Sequence, residues 1–437
     1  MATLLVIIFI IGYALIAFEH PLKLDKAASA LLTGVICWVI LLIGFDSMPA
    51  FKDAKIALDS HKILDESLFE HLGKIAGILF FLLGAMTIVE LVDVHDGFRA
   101  ITDKIHTTNR VKLLWIISWV TFFLSAGLDN MTTAIIMCAL LRKIIKDKEN
   151  IWFFGGFVII AANAGGAWSP IGDVTTIMLW IGGQVSTVPI MTTLFWSSAV
   201  SLFVPLLLAS YFMRGSIISP KSDGKSVSTQ AQTTAFERNI MFFLGGAGLL
   251  SVPVFKALTH YPPYMGILLS VGLLWYFTEL LHRKKEAALK HDLSVSTMLH
   301  RIDTPSVLFF LGILLAVGAL DTSGHLRLMA TLLDQSFGNI YIINTLIGIL
   351  SAIVDNVPLV AAAMGMYPLE QYPMDNDFWN LLAYCAGTGG SILIIGSASG
   401  VAAMSILKID FLWYLKRTSL YAISGYFAGI LVYYLTH

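Results

Sequence analysis

The sequence predicts an all-α polytopic membrane protein built from two inverted-topology repeats. Three observations predict it. Of the 437 residues, 57% are hydrophobic and 13% charged, with a mean hydropathy of +0.78, whereas soluble domains carry about a quarter charged residues. The chain is punctuated by apolar runs near the ~20 residues that cross a bilayer. Motifs in its first half recur in its second at almost one offset.

The uninterrupted runs are 3 to 18, 27 to 45, 74 to 94, 190 to 213, 261 to 281, 306 to 320 and 418 to 436. Each reads as an ordinary spanning helix. Other runs are broken or short: 111 to 127 with 131 to 145, 152 to 162 with 174 to 183, 238 to 256, 340 to 351 with 358 to 366, and 378 to 386 with 398 to 409. The first run has no basic region before it and no small-residue cleavage site after it, so it reads as a retained helix. Cys37, Cys138 and Cys385 lie in apolar runs and are odd in number, which argues against disulfides and thiolate metal sites. A net charge of -1 leaves no basic surplus for nucleic acid.

Lys and Arg mark the cytoplasmic side. The loops 19 to 26, 95 to 112, 142 to 150, 214 to 238, 282 to 303 and 408 to 417 hold most of the 28 basic residues, which puts both termini in the periplasm of a bacterial inner membrane. Basic loops on both sides of 111–146 make that segment a re-entrant hairpin. The acidic exit Tyr367 to Phe378 makes 340–366 a second hairpin, opening the other way. SAGLDNMTT (125 to 133) recurs as SAIVDNVPL (351 to 359), offset 226; Leu79 to Leu82 recurs as Leu308 to Leu311, offset 229; Gly165-Gly166 recurs as Gly389-Gly390, offset 224. The expected division is therefore a first repeat at 1–213 with a broken helix at 152–183, a cytoplasmic linker at 214–237, and a second repeat at 238–437 with a broken helix at 378–409.

Irregular backbone at membrane depth survives only where protein or a wet cavity surrounds it. Asp129, Asp173 and Asp355 fall in such stretches, and an intramembrane carboxylate points to function. Neutral oxygens accompany them on Asn130, Thr132, Thr133, Asn163, Ser169, Thr175, Thr176, Ser351, Asn356 and Ser391, and Gly389 stands in the second Gly-rich turn. Oxygen ligands suit a small hard cation, which the three carboxylates are expected to hold. Each Asp is also placed to cap the helix that follows it, and both roles can hold together. Glu90, Asp93, His95 and Asp96, like Glu19, His20, Glu279 and His282, read as solvated helix-end groups.

These motifs, with ANAGGAWSPIGDVTT and GTGGSILIIGSASGVAAM, resemble the NhaD-type sodium/proton antiporters of the ion transporter superfamily over nearly the whole chain. The resemblance implies exchange of Na⁺ or Li⁺ for H⁺, a scaffold domain that forms a homodimer, and no cofactor. Sodium and protons would then compete for the same carboxylates. The alternative is a sodium-coupled anion symporter of the same superfamily; those proteins carry Ser-Asn-Thr at the hairpin tips, where this chain has Leu128-Asp129-Asn130 and Val354-Asp355-Asn356, and no Lys or Arg stands in the irregular stretches 125 to 133, 163 to 176, 351 to 358 and 387 to 400. An enzyme is not expected, since no HExxH or GxSxG occurs.

Overall fold

The fold is given by a computed structural model that describes all residues except 18, 52–59, 100–106, 108, 214–232, 284 and 286–292. Most of the expected linker lies outside the described residues, as do parts of the basic loops 95–112 and 282–303; nothing is described of the His20 side chain. Among the described residues, nine helices are long and apolar enough to cross a membrane, or ten if one bent pair counts as a span.

The first helices are α1 (Ala2–Ala17), α2 (Lys26–Ile43) and α3 (Ser60–Val94). Asp25 starts α2 by accepting the Ala27 N–H at 2.8 Å, a cap that contributes about 1 kcal/mol. The 35 residues of α3 span roughly 50 Å at the helical rise. It therefore begins well before the apolar run at 74 to 94, in a polar stretch containing Asp65, Glu66 and Glu70. Next come α4 (Arg110–Leu128), α5 (Asn130–Ile144), α6 (Lys148–Ala167), α7 (Val174–Ile181) and α8 (Thr187–Phe212).

The second half opens with α9 (Ala235–Thr259), α10 (Pro263–Leu281) and α11 (Thr304–Thr322). The run 238 to 256, expected to be interrupted, is one continuous helix: Pro253 sits inside it, and Ser251, about two turns before its end, turns its hydroxyl back to the Gly248 carbonyl at 2.7 Å. The amphipathic α12 (His325–Phe337) follows, then α13 (Ile340–Leu350), α14 (Asn356–Met366), α15 (Asp377–Gly389), α16 (Ala398–Leu407), α17 (Phe411–Arg417) and α18 (Ser419–Thr436). Between α16 and α17 the chain bends by 114°.

The helices sort into two groups that mix the halves. In one, α2 packs against α1 and α11, and α3 against α9, α10 and α11. In the other, α6 packs on both α4 and α5, α15 on α13, and α8 on α18. We call the first group the scaffold and the second the core. They meet where α14 lies on α11 and where α7 lies on α3. An apolar cavity of about 500 Å³, bordered by Ile88, Val92, Phe123, Leu128, Trp168 and Leu250, separates the end of α4 from α3 and α9.

Two corrections concern helix ends. His95 and His282 are not solvated boundary groups, being 0% and 1% exposed. Their Nε2 atoms lie 2.8 Å apart and their rings stack, with centroids at 5.0 Å. The His95 Nδ1–H donates to the Leu91 carbonyl at 2.7 Å, which leaves its Nε2 to accept from His282. Burial pushes both imidazoles below their ordinary range; for His282, burial with the neighbouring His95 brings it to about 4.

Candidate functional site

Glycine sets the floor of the site. Helices α6 and α15 are buried along their C-terminal halves, and each carries a glycine where a neighbouring backbone presses in. A Cβ on Gly165 would collide with the Phe122 carbonyl of α4, and one on Gly389 with the Gly348 carbonyl of α13. Gly166 and Gly390 meet the carbonyls of Gly172 and Gly396 in the same way. The Ser125 hydroxyl donates to Ala162 O at 2.6 Å and the Ser351 hydroxyl to Ala386 O at 2.8 Å. Matched positions in the two halves thus make matched contacts, and each hairpin tip is pinned to the break beside it.

Both tips present Asp followed by Asn. Asp129 stands between α4 and α5, accepting the Thr132 N–H at 2.8 Å and the Thr132 hydroxyl at 2.7 Å. Its backbone lies at φ 133°, ψ 160°, a region that glycine alone enters freely and that costs another residue about 1–3 kcal/mol. Asp355 caps α14 from a relaxed φ of -49°, accepting from the Val357 N–H at 3.2 Å. The tips match in sequence but differ in strain.

Asp173 lies at the centre, 1% exposed. It caps α7, and one carboxylate oxygen accepts from both the Thr175 N–H and the Thr175 hydroxyl at 2.9 Å. Thr176 closes the turn by donating its hydroxyl to the Asp173 carbonyl at 2.9 Å. The other oxygen accepts from the carboxamide of Asn130 at 2.6 Å and of Asn356 at 3.3 Å. One carboxylate therefore holds a side chain from each hairpin tip. A buried anion needs such donors, since desolvation costs it several kcal/mol.

Asn163 joins the two breaks. Its amide nitrogen donates to the Ser391 and Ser397 hydroxyls, both at 2.9 Å, and its oxygen accepts from Ser399 at 2.7 Å and from Asn130 at 3.1 Å. Ser391 is held in turn by Tyr414, whose hydroxyl donates to its carbonyl at 2.7 Å. Thr133 is buried with a hydroxyl that has no partner. Ser169 accepts weakly from the Ile171 N–H at 3.4 Å and faces its own turn.

The expected residues thus divide. Asn130, Asn163, Asp173, Thr175, Thr176, Asn356 and Ser391 form a connected set, Asp129 and Thr132 bond to each other beside it, and Ser351 and Gly389 position backbone. The three carboxylates do not pool into one acidic cluster: among the described residues no group of three or more His, Cys, Asp or Glu is arranged to hold a metal ion. Asparagines stand between them instead. Two serines that the expectation omitted, Ser397 and Ser399, belong to the set; Ser397 aligns with Asp173 at offset 224, and each caps its helix. Lys26 was also missed. Its ammonium lies 3.8 Å from the Asp355 carboxylate.

A family profile described as "Citrate transporter" matches residues 13–384. The chain is 49% identical over 431 residues to "Sodium/proton antiporter 1" of Arabidopsis thaliana, covering 99% of this chain and 72% of that protein. It is 44% identical to the same plant's "Sodium/proton antiporter 2", covering 99% of each. It is 33% identical to "Na(+)/H(+) antiporter NhaD" of Vibrio cholerae, covering 98% of this chain and 90% of that one. With carboxylates at both helix-to-helix tips and at the break before α7 of a multi-pass bundle, and relatives of this likeness along the whole chain, the protein belongs to the NhaD-type sodium/proton antiporters.

Proposed function

We propose that this chain exchanges Na⁺ or Li⁺ for H⁺ by alternating access, with both ions competing for the carboxylates around Asp173. The observation that carries the reading is the buried Asp173 carboxylate, bridged by a carboxamide from each hairpin tip. Among the described residues no lysine or arginine pairs with it. Protonation removes the charge that holds a metal ion, so loading one ion expels the other. When Na⁺ arrives, a half-turn of the Asn130 and Asn356 amides exchanges donor N–H for acceptor oxygen, and the same groups that stabilised the bare anion complete the ion's oxygen shell. Thr133 and the Gly-rich carbonyls supply further oxygens. Asp129 and Asp355 flank the ion and set its field.

The inverted repeats are supported by matched contacts, Gly165 against the Phe122 carbonyl and Gly389 against that of Gly348, and Ser125 to Ala162 and Ser351 to Ala386. Such repeats place the site at the midplane, where one group rocks against the other; the cavity beside α4 gives the core room to do so. The relatives include plant and bacterial proteins, so the membrane is a bacterial inner membrane or a eukaryotic one; in either, the termini lie opposite the basic loops.

The family profile's description raises citrate as a second substrate. Lys26 is the basic residue at the site, and its charge is already matched by Asp355. A multivalent anion would meet Asp129 and Asp173 unneutralised. Proteoliposomes with an imposed pH gradient separate the readings: Na⁺ or Li⁺ should collapse the gradient, whereas K⁺ and citrate should not. A response to citrate that needs sodium would replace exchange by symport.

A further inference from the structure

We propose that Lys26 is a tethered counter-ion for the transport site, its ammonium neutralising Asp355 whenever no ion is loaded and withdrawing when one arrives. This rests on Asp355 flanking the transported ion. Lys26 is the first residue of scaffold helix α2, and Asp355 caps core helix α14. The 3.8 Å contact therefore crosses from the scaffold to the core. Both side chains are largely shielded, at 23% and 15% exposure, so the attraction is screened far less than at an open surface.

The ammonium also has a second place to rest. It lies 4.6 Å from the ring centroid of Phe309, on scaffold helix α11, and aromatic faces hold cations by their quadrupole. Phe309 is fully buried and fixed. An ammonium already lying against a ring can leave the carboxylate without becoming a bare charge in the membrane. Near the pair, the Tyr13 hydroxyl of α1 is buried, has no hydrogen-bond partner and lies within electrostatic reach of Asp355.

Lys26 is thus a positioning residue that acts through Asp355. With no ion present it keeps the empty site from holding an unpaired buried anion, and it ties the second hairpin to the scaffold. A sodium ion beside Asp355 must displace it, so ion loading and release of the core become one event. Scaffold and core share a second lysine tie: Lys256 of α9 donates to the Trp180 carbonyl of α7 at 2.7 Å. That tie reaches no carboxylate of the site.

Two measurements test this. In proteoliposomes, Lys26→Gln removes the competing charge while keeping the stem, and the half-saturating Na⁺ concentration should fall about tenfold; Lys26→Arg should restore it. A purely structural lysine would lower turnover without tightening sodium. In the unmodified protein at fixed pH, acylation of Lys26 by an amine-reactive reagent, followed by mass spectrometry, should speed up severalfold on replacing choline by Na⁺. An unchanged half-saturation in Lys26→Gln, or labelling indifferent to Na⁺, overturns the proposal. Should Asp355→Asn exchange normally, the fault lies instead with the role given to Asp355.

Discussion

Asp129 shows how a single residue can serve chemistry against its own backbone preference. Its φ of 133° would suit glycine, yet the side chain makes two bonds to Thr132 that glycine cannot. Replacing Asp129 by Ala removes the cap and keeps the strain, whereas Gly removes both. The Ala variant should therefore melt at a lower temperature than the Gly variant, by about 1–3 kcal/mol of stability, measured by thermal unfolding in detergent. Equal stabilities would show that the tip relaxes. Asp173 separates cap from ligand. Asn caps about as well as Asp, so Asp173→Asn should fold and insert normally yet lose exchange. Retained exchange with unaltered sodium affinity would leave Asp173 as a cap alone.

Among the elements, the paired breaks depend on glycine at two close approaches. Gly165→Ala and Gly389→Ala each drive a methyl into a backbone carbonyl that cannot rotate aside, and each should cost about 1–3 kcal/mol as overpacking does. Gly127, near the end of α4, has open space around its Cβ position; Gly127→Ala should leave the melting temperature unchanged or slightly raised. The corner of α3, α9 and α10 responds to acid instead. The buried His95–His282 pair favours neutral imidazole, with Glu237 drawing a proton toward it and Lys285 opposing one. A histidine whose folded pKa is depressed contributes its full stability above its unfolded value near 6.5. That contribution is lost as pH falls from there toward about 4. Amide protection at the end of α10, referred to the intrinsic exchange rate at each pH, should fall over this window, and His282→Gln should flatten the response.

Across the whole molecule, much could be read in the chain. Helix-breaking glycines, carboxylates in apolar surroundings and the repeated Asp-Asn pairs are local signals, so the tips at Asp129 and Asp355 and the breaks at Asp173 and Gly389 were legible in the sequence. Contacts between distant residues were not. Lys26 reads as one more basic loop residue until α2 is laid against α11 and the second hairpin, 329 positions away. His95 and His282, separated by 187 positions, look like two solvated helix ends. Ser397 and Ser399 lie in an unremarkable run of small residues, and only the fold turns their hydroxyls onto Asn163. Pro253 reads as an interruption, although α9 carries it without a break.

The likeness between the halves fails at the two helix caps Asp173 and Ser397. On the proposed reading, a two-fold arrangement would offer two equivalent stations for a cation, yet only one carries a charge; the other is a neutral hydroxyl bonded to Asn163. That imbalance predicts a single sodium ion per cycle. The dependence of transport on sodium should be hyperbolic, with a Hill coefficient of about 1, where a pair of coupled stations would allow values approaching 2. Steepening in the wild-type protein would mean that the serine half carries its own ion, and the duplicated architecture would then be a double-barrelled carrier.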